Sequence, residues 1–115
     1  MCYYDSKKPI LNASNNLSLN SLIKVRVVQL ANKNQFAIYY NDGKRHLVAF
    51  QSYDSLIAIV EGENLYINWS YWDYSKTTLK HLKLFINTYT RFEYENKQQF
   101  LHFITSSDKV ILFSE

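Results

Sequence analysis

The amino-acid sequence predicts a single α+β domain in which an antiparallel sheet of four to six strands carries two C-terminal helices on one face. Residues 22–69 consist of short alternating apolar and polar segments separated by turns, which is typical of an antiparallel meander. The period then changes from two to between three and four, which indicates helices. A chain of 115 residues is the size of one domain.

The N-terminal segment, residues 1–21, is predicted to be a polar tail. It is rich in Asn and Ser and contains the chain's one proline, Pro9. Terminal segments without a periodic apolar pattern lie loosely or over the surface of a domain. The α+β domain is therefore expected to span residues 22–115.

The meander is predicted from β-branched and aromatic residues at period two. The strongest turn signal is Asp42-Gly43, because this pair supplies the positive φ that a tight hairpin needs. The apolar run at 55–61 is consistent with either a strand or a short helix, since periodicity cannot separate the two at that length. The expected strands are residues 22–30, 35–40, 45–51, 55–61 and 65–69.

Two helices are predicted after this meander. Leu79, Leu82 and Ile86 recur at spacings of three and four over residues 75–90, which places them on one helical face. Asp73 or Ser75 can cap that helix, because their side-chain oxygens accept from free amides of the first turn. A second helix is expected over residues 95–105, and a last short strand over 109–113 is expected to join the sheet edge.

Several classes of function are excluded by composition. The single cysteine, Cys2, leaves no internal disulfide framework and no multi-cysteine zinc site. Gly43 and Gly62 lie in separate turns, so no glycine-rich phosphate loop is present. The three histidines show no paired spacing of a metal site. We therefore expect no enzyme activity, no catalytic residues, no metal and no cofactor.

The cellular location is expected to be cytoplasmic. The longest apolar runs are far shorter than the roughly 20 residues of a membrane-spanning helix, and the N-terminus lacks the apolar stretch of a secretory signal. The net charge is +3, too small to imply nucleic-acid binding alone. Residues 1–50 contain seven Lys or Arg and two acids, whereas residues 51–115 contain six and eight.

An aromatic junction separates the last strand of the meander from the first helix. Its sequence is Trp69-Ser70-Tyr71-Trp72-Asp73-Tyr74, and four rings in six residues do not all face the core of an alternating strand. Trp69 continues the inward alternation of the preceding strand and is expected to be buried. For the rest there are two interpretations. Both Trp residues are core and the tyrosines surround the helix base, or Tyr71, Trp72 and Tyr74 contact a partner.

A basic stripe follows on the first helix. Lys76, Lys80 and Lys83 are spaced to lie on one side, Arg91 adds a fourth positive charge, and no acid lies between Asp73 and Glu93. Like charges at this spacing repel by a few tenths of a kcal/mol per pair. The stripe is either an ordinary solvated helix face or a surface that meets phosphate or an acidic partner.

Two segments resemble a known family of small proteins. Residues 50–58 read Phe-Gln-Ser-Tyr-Asp-Ser-Leu-Ile-Ala and residues 72–85 begin Trp-Asp-Tyr-Ser-Lys-Thr-Thr-Leu-Lys-His, while Gln-Leu-Ala-Asn-Lys at 29–33 fits the same pattern. They resemble small proteins of phages and mobile elements from low-GC Gram-positive bacteria, over roughly residues 22–90. The resemblance implies a soluble, cytoplasmic domain of unknown function, and it supplies no catalytic residues.

Two functional hypotheses follow. In the first, the protein is a non-enzymatic phage or mobile-element product that binds and inhibits a host nucleic-acid effector, a protein or ribonucleoprotein, as anti-CRISPR proteins do. This step rests on analogy with small phage proteins. In the second, it is a nucleic-acid-binding accessory protein of phage replication or gene control. Binding to bare DNA or RNA that falls steeply with salt favours the second.

Overall fold

The meander predicted for residues 22–69 forms five consecutive antiparallel strands, each joined to the next by a short turn. The structure is a computed structural model, and it describes residues 8–12, 23–30, 33–41 and 43–114. Gly43 and Gly62 occupy two of these turns with φ of 89° and 60°, which glycine adopts without strain. The run at 55–61 is a strand, which settles the alternative between strand and helix. The elements in chain order are β1 (Ile10–Asn12), β2 (Ile23–Gln29), β3 (Gln35–Asn41), β4 (His46–Ser52), β5 (Ser55–Glu61), β6 (Asn64–Asn68), α1 (Lys76–Tyr89), α2 (Lys97–Ser106) and β7 (Val110–Ser114).

The sheet has seven strands, in the order β1-β7-β6-β5-β4-β3-β2, so the prediction of four to six strands was too low. The additional strand is β1, which lies inside the segment predicted to be a polar tail. Three residues are too few to produce a recognisable alternation. The remainder of residues 1–21, apart from residues 8 and 9, lies outside the described residues.

The last strand was predicted to join the edge of an antiparallel sheet, but it lies inside the sheet and is parallel to its neighbours. β7 pairs parallel with β6 and lies between β6 and β1, which is also parallel to it. The reason is the connection: α1 and α2 together carry the chain back along the sheet, and a crossover of that length lets the next strand run in the same direction. The fold is therefore mixed α+β and mostly antiparallel.

Both helices contribute to one apolar cluster with the sheet. Leu82, Phe85 and Ile86 of α1 and Phe100 and Ile104 of α2 are fully buried there. A bulge between β4 and β5 adds one residue on β5, which lets Ile57 and Ala58 both join the helix-covered cluster. A smaller cluster contains Leu47, Ala49, Ile59 and Phe113. Neither described helix is long and apolar enough to cross a membrane.

Candidate functional site

The N-terminal end of α1 is fixed by a chain of hydroxyl groups. Ser75 is the N-cap, and its Oγ accepts a hydrogen bond from the backbone N–H of Thr78 at 3.0 Å. The Thr78 hydroxyl lies 3.0 Å from Ser75 Oγ and 3.0 Å from Ser52 Oγ, which is buried at the end of β4. These contacts satisfy a free helical amide and bind the first turn of α1 to the sheet. Side chains around this turn are thus rigidly presented.

The aromatic junction before α1 is organised by Asn68, which is fully buried. Its amide nitrogen donates to the carbonyl oxygen of Leu56 at 2.8 Å, and its side-chain oxygen accepts from the N–H of Ser70 at 3.0 Å. The N–H of Trp72 donates to the Asn68 carbonyl at 2.9 Å. The chain therefore turns here instead of continuing as a strand, which removes the alternation expected for residues 69–74.

The two tryptophans both lie inside as a result. Trp69 is buried, which confirms that prediction, and Trp72 is fully buried with its ring 5.5 Å from that of Phe100. Trp72 therefore belongs to the core and does not line a contact surface, in contrast to its assignment among the contact residues. Tyr71 is half-buried, whereas Tyr74 is 62% exposed and meets the Tyr71 ring edge-on at 6.1 Å.

The three lysines predicted on one side of α1 are found there, opposite the buried residues of the helix. Lys76 and Lys80 are exposed. Lys83 is half-buried, and its ammonium lies 5.7 Å from the centre of the Tyr94 ring, a distance at which a cation is attracted by the ring face. Burial raises the pKa of Tyr94, so its hydroxyl stays neutral beneath the lysine.

The helix contains no acid in its first turn to offset these cations. Lys76 is the first residue of α1, at the positive end of the helix dipole, where positive side chains are unfavourable. The nearest acid along the chain, Asp73, is largely buried and pairs with Lys97 of α2 at 3.3 Å. Lys97 also lies over the Trp72 ring at 5.7 Å. The fold therefore brings a further cation to the base of α1.

Arg91 does not join this group. It is exposed beyond the C-terminal end of α1 and lines an open cleft of about 510 Å³ with Glu63, Thr90 and Lys109. Helix α1 is about 20 Å long, because an α-helix rises roughly 1.5 Å per residue. A small partner group bound at the N-terminal end of α1 therefore does not contact Arg91 as well.

Tyr53 is a residue that sequence reasoning missed. It occupies the turn between β4 and β5 with a φ of 54° and is 48% exposed, and bulky residues rarely adopt positive φ. Its neighbour Ser52 contacts Thr78, so Tyr53 lies at the same end of the sheet as the start of α1. No alternation signals such a residue in a two-residue turn. We call Tyr53, Tyr71, Tyr74, Lys76, Lys80 and Lys83 the lysine–tyrosine face.

Other chemical groups do not converge in the described part of the chain. His81 is buried, and its Nδ1 donates to the carbonyl oxygen of Thr77 at 2.8 Å, while His46 and His102 are exposed. No three His, Cys, Asp or Glu side chains among the described residues are grouped to hold a metal ion. Cys2 lies outside these residues.

Comparison with known proteins connects the chain to a family without an assigned activity. No curated protein and no solved structure matches it. One family does match, over residues 6–102, which includes all of the lysine–tyrosine face and every strand except β7. Over that range the chain belongs to the family of unknown function DUF8033.

Proposed function

We propose that this protein is a non-enzymatic binding protein whose lysine–tyrosine face contacts an anionic host nucleic-acid effector and inhibits it. The partner is a ribonucleoprotein or protein whose exposed phosphate or acidic surface fits three lysines along one helix. The observation that carries the proposal is the positive charge of Lys76, Lys80 and Lys83 along one side of α1, a helix with no acidic residue in its first turn. An anion placed there gains from both the ammonium groups and the helix dipole.

The charge arrangement is unfavourable for the isolated fold. Two neighbouring lysine pairs at spacings of three and four each destabilise a helix by a few tenths of a kcal/mol, and the helix dipole adds a term of the same sign. A glutamate at Leu84 or Asn87, exposed positions four residues after Lys80 and Lys83, would offset this repulsion. A partner that supplies the negative charge is a physical reason for its absence.

The tyrosines give the face a second means of contact. Tyr74 and Tyr53 are 62% and 48% exposed, and large rings with few rotatable bonds are enriched among residues that dominate binding. Their backbone is held by the junction around Asn68 and by the turn after Ser52. Little ordering is then needed on binding, which favours affinity.

The biological setting is part of the same proposal. We place the protein in a phage or mobile element and in the bacterial cytoplasm, as the resemblance of residues 50–58 and 72–85 implies. Inhibitors of host defence, anti-CRISPR proteins among them, are one class of non-enzymatic phage product that binds nucleic-acid effectors. The inhibited step would then be access of the effector to its nucleic-acid target.

A second candidate function is direct binding of single-stranded nucleic acid in phage replication or gene control. The exposed ring of Tyr74 lies two residues from Lys76. An aromatic ring beside a cation is the combination that stacks a base while holding its phosphate. This candidate differs from the first because it requires affinity for a bare oligonucleotide.

The experiment compares the parent with the variant Lys76→Gln/Lys80→Gln/Lys83→Gln. The matched control, Lys33→Gln/Lys44→Gln/Lys109→Gln, removes the same charge from exposed positions elsewhere. Each protein is tested for inhibition of target cleavage by purified RNA-guided nuclease complexes. Each is also titrated against labelled 20-nucleotide single-stranded RNA and DNA at several salt concentrations.

The inhibitor proposal predicts that the parent and the control block cleavage and that the α1 variant does not. Its loss relative to the parent shrinks at high salt, because screening has already removed the contribution of the lysines. Binding of bare oligonucleotides by the parent, with a salt slope that falls by about 2 in the variant, supports the second candidate instead. Equal behaviour of all three proteins in both assays contradicts both.

A further inference from the structure

Among the described strands, β2 forms one edge of the sheet. It pairs with β3 on one side, and no described strand lies beyond it on the other. Three β-branched side chains on this strand are exposed, namely Ile23 at 67%, Val25 at 64% and Val27 at 48%. An edge strand with free backbone groups and exposed apolar side chains is a template for a further strand.

The opposite edge contrasts with it. β1 has three residues, and its Leu11 packs beside the buried Phe113. Short edge strands offer little length for pairing. Seven residues of β2, by contrast, can accept an extended segment of ordinary strand length.

Two cations alternate with the apolar residues of β2. Arg26 pairs across the ladder with Tyr39, and its guanidinium lies 5.4 Å from the centre of that ring. Lys24 pairs with Tyr40, the next residue of β3, because the ladder shifts by one residue between Lys24 and Arg26. Adjacent residues of a strand point to opposite faces, so the open edge presents one positive charge on each face of the sheet.

We propose that β2 accepts an extended acidic segment of a partner protein as an eighth, antiparallel strand. Backbone hydrogen bonds along the edge give affinity, as in other strand-addition complexes. Apolar side chains of the partner cover Ile23, Val25 and Val27. One carboxylate on each face lies opposite Lys24 and Arg26, where opposite charges across strands are stabilising.

A second copy of the chain fits this edge less well. Antiparallel pairing of two β2 strands about their midpoint places Arg26 opposite Arg26, and like charges directly opposite each other are destabilising. A basic residue on an edge strand is also a feature that prevents self-pairing. Charge complementarity therefore selects an acidic partner over the protein itself.

This edge is separate from the lysine–tyrosine face. Helix α1 packs over β3, β4 and β5, and the start of α1 contacts the end of β4. The two surfaces are therefore testable one at a time. Replacing the α1 lysines should leave strand addition at β2 intact.

The test uses an end-blocked peptide, Thr-Thr-Val-Glu-Glu-Val-Thr, whose two adjacent Glu side chains point to opposite faces of an added strand, and its counterpart with Lys in place of Glu. Binding is followed by NMR shifts and hydrogen exchange of the β2 amides. The variants are Lys24→Glu/Arg26→Glu, the milder Lys24→Gln/Arg26→Gln, and the control Lys33→Glu/Lys44→Glu. Thermal unfolding verifies that each is folded, and the Gln variant serves if the Glu variant is not.

The proposal predicts that the acidic peptide slows exchange of β2 amides in the parent and the control. The affinity falls at least about tenfold when the two charges are reversed, and the reversed variant then prefers the lysine peptide. The proposal is overturned if the acidic peptide leaves the β2 amides unchanged, or if the control loses as much affinity as the reversal. Sedimentation showing a parent dimer that the reversal dissociates would assign the edge to a second copy and overturn it as well.

Discussion

Lysine serves opposite purposes at the C-terminal end of α2 and along α1. The Lys8 ammonium donates to the carbonyl oxygens of Ile104 at 2.8 Å, Ser107 at 2.5 Å and Val110 at 2.9 Å. Cations are favourable at this end of a helix, where carbonyl groups lack partners. Lys76, Lys80 and Lys83 lie instead in the N-terminal and middle parts of α1, on the side opposite its buried residues.

This difference in contacts distinguishes the lysine that stabilises the fold from those that do not. Burial lowers the pKa of Lys8, and the charge of Asp108 opposes that shift, so three carbonyl acceptors compensate an ammonium partly removed from water. Lys8 joins the start of β1 to α2 and β7. The α1 lysines form no comparable link to the sheet. Whether a positive charge stabilises or destabilises this fold therefore depends on the groups that contact it.

The largest expected effect is on the lysine that serves the fold. Lys8→Met should lower the free energy of unfolding by about 2 kcal/mol, because three hydrogen bonds from a charged donor to carbonyl oxygens are lost. The matched control is Lys24→Met on exposed β2, expected to change it by less than about 0.5 kcal/mol. Urea unfolding measures both. Equal small losses of unfolding free energy in both variants would contradict a stabilising role for Lys8.

The next largest effect is expected at the N-cap of α1, which stabilises the end of the helix where no acidic side chain does so. Ser75→Ala removes the oxygen that caps the helix and contacts Thr78, so the free energy of unfolding should fall by about 1 kcal/mol. Thr88→Ala is the control, since its hydroxyl only donates back to the Leu84 carbonyl on an exposed part of the same helix. Thermal or urea unfolding measures both, and an effect no larger than that of the control would show that the cap is dispensable.

Much of this fold follows from local periodicity. Strands β2 to β6 and both helices are predicted by their apolar spacing, and two of the hairpin turns by Gly43 and Gly62. β1 is not predictable in this way, because its three residues are held by β7 and by Lys8. The parallel direction of β7 depends on the path of two helices across the sheet and not on residues 110–114 themselves.

In the candidate site too, residues placed by local periodicity were predictable and residues placed by tertiary packing were not. The stripe of Lys76, Lys80 and Lys83 is predictable because a helix fixes which residues share a side. Trp72 was misplaced because the buried Asn68 turns the chain where strand alternation was assumed. Arg91 was grouped by charge alone and lies beyond the far end of α1. Lys97 reaches the base of α1 only through tertiary packing.

The central claim is that the α1 lysines are present for a partner and not for the fold. Urea unfolding of Lys76→Gln/Lys80→Gln/Lys83→Gln tests it most directly, because Gln and Lys have similar helix propensities. The account predicts that the free energies of unfolding of the variant and the parent differ by less than about 0.5 kcal/mol, because relief of the repulsion offsets the lost contact of Lys83 with the Tyr94 ring. A loss above about 1 kcal/mol would show instead that these lysines stabilise the fold and would contradict the claim.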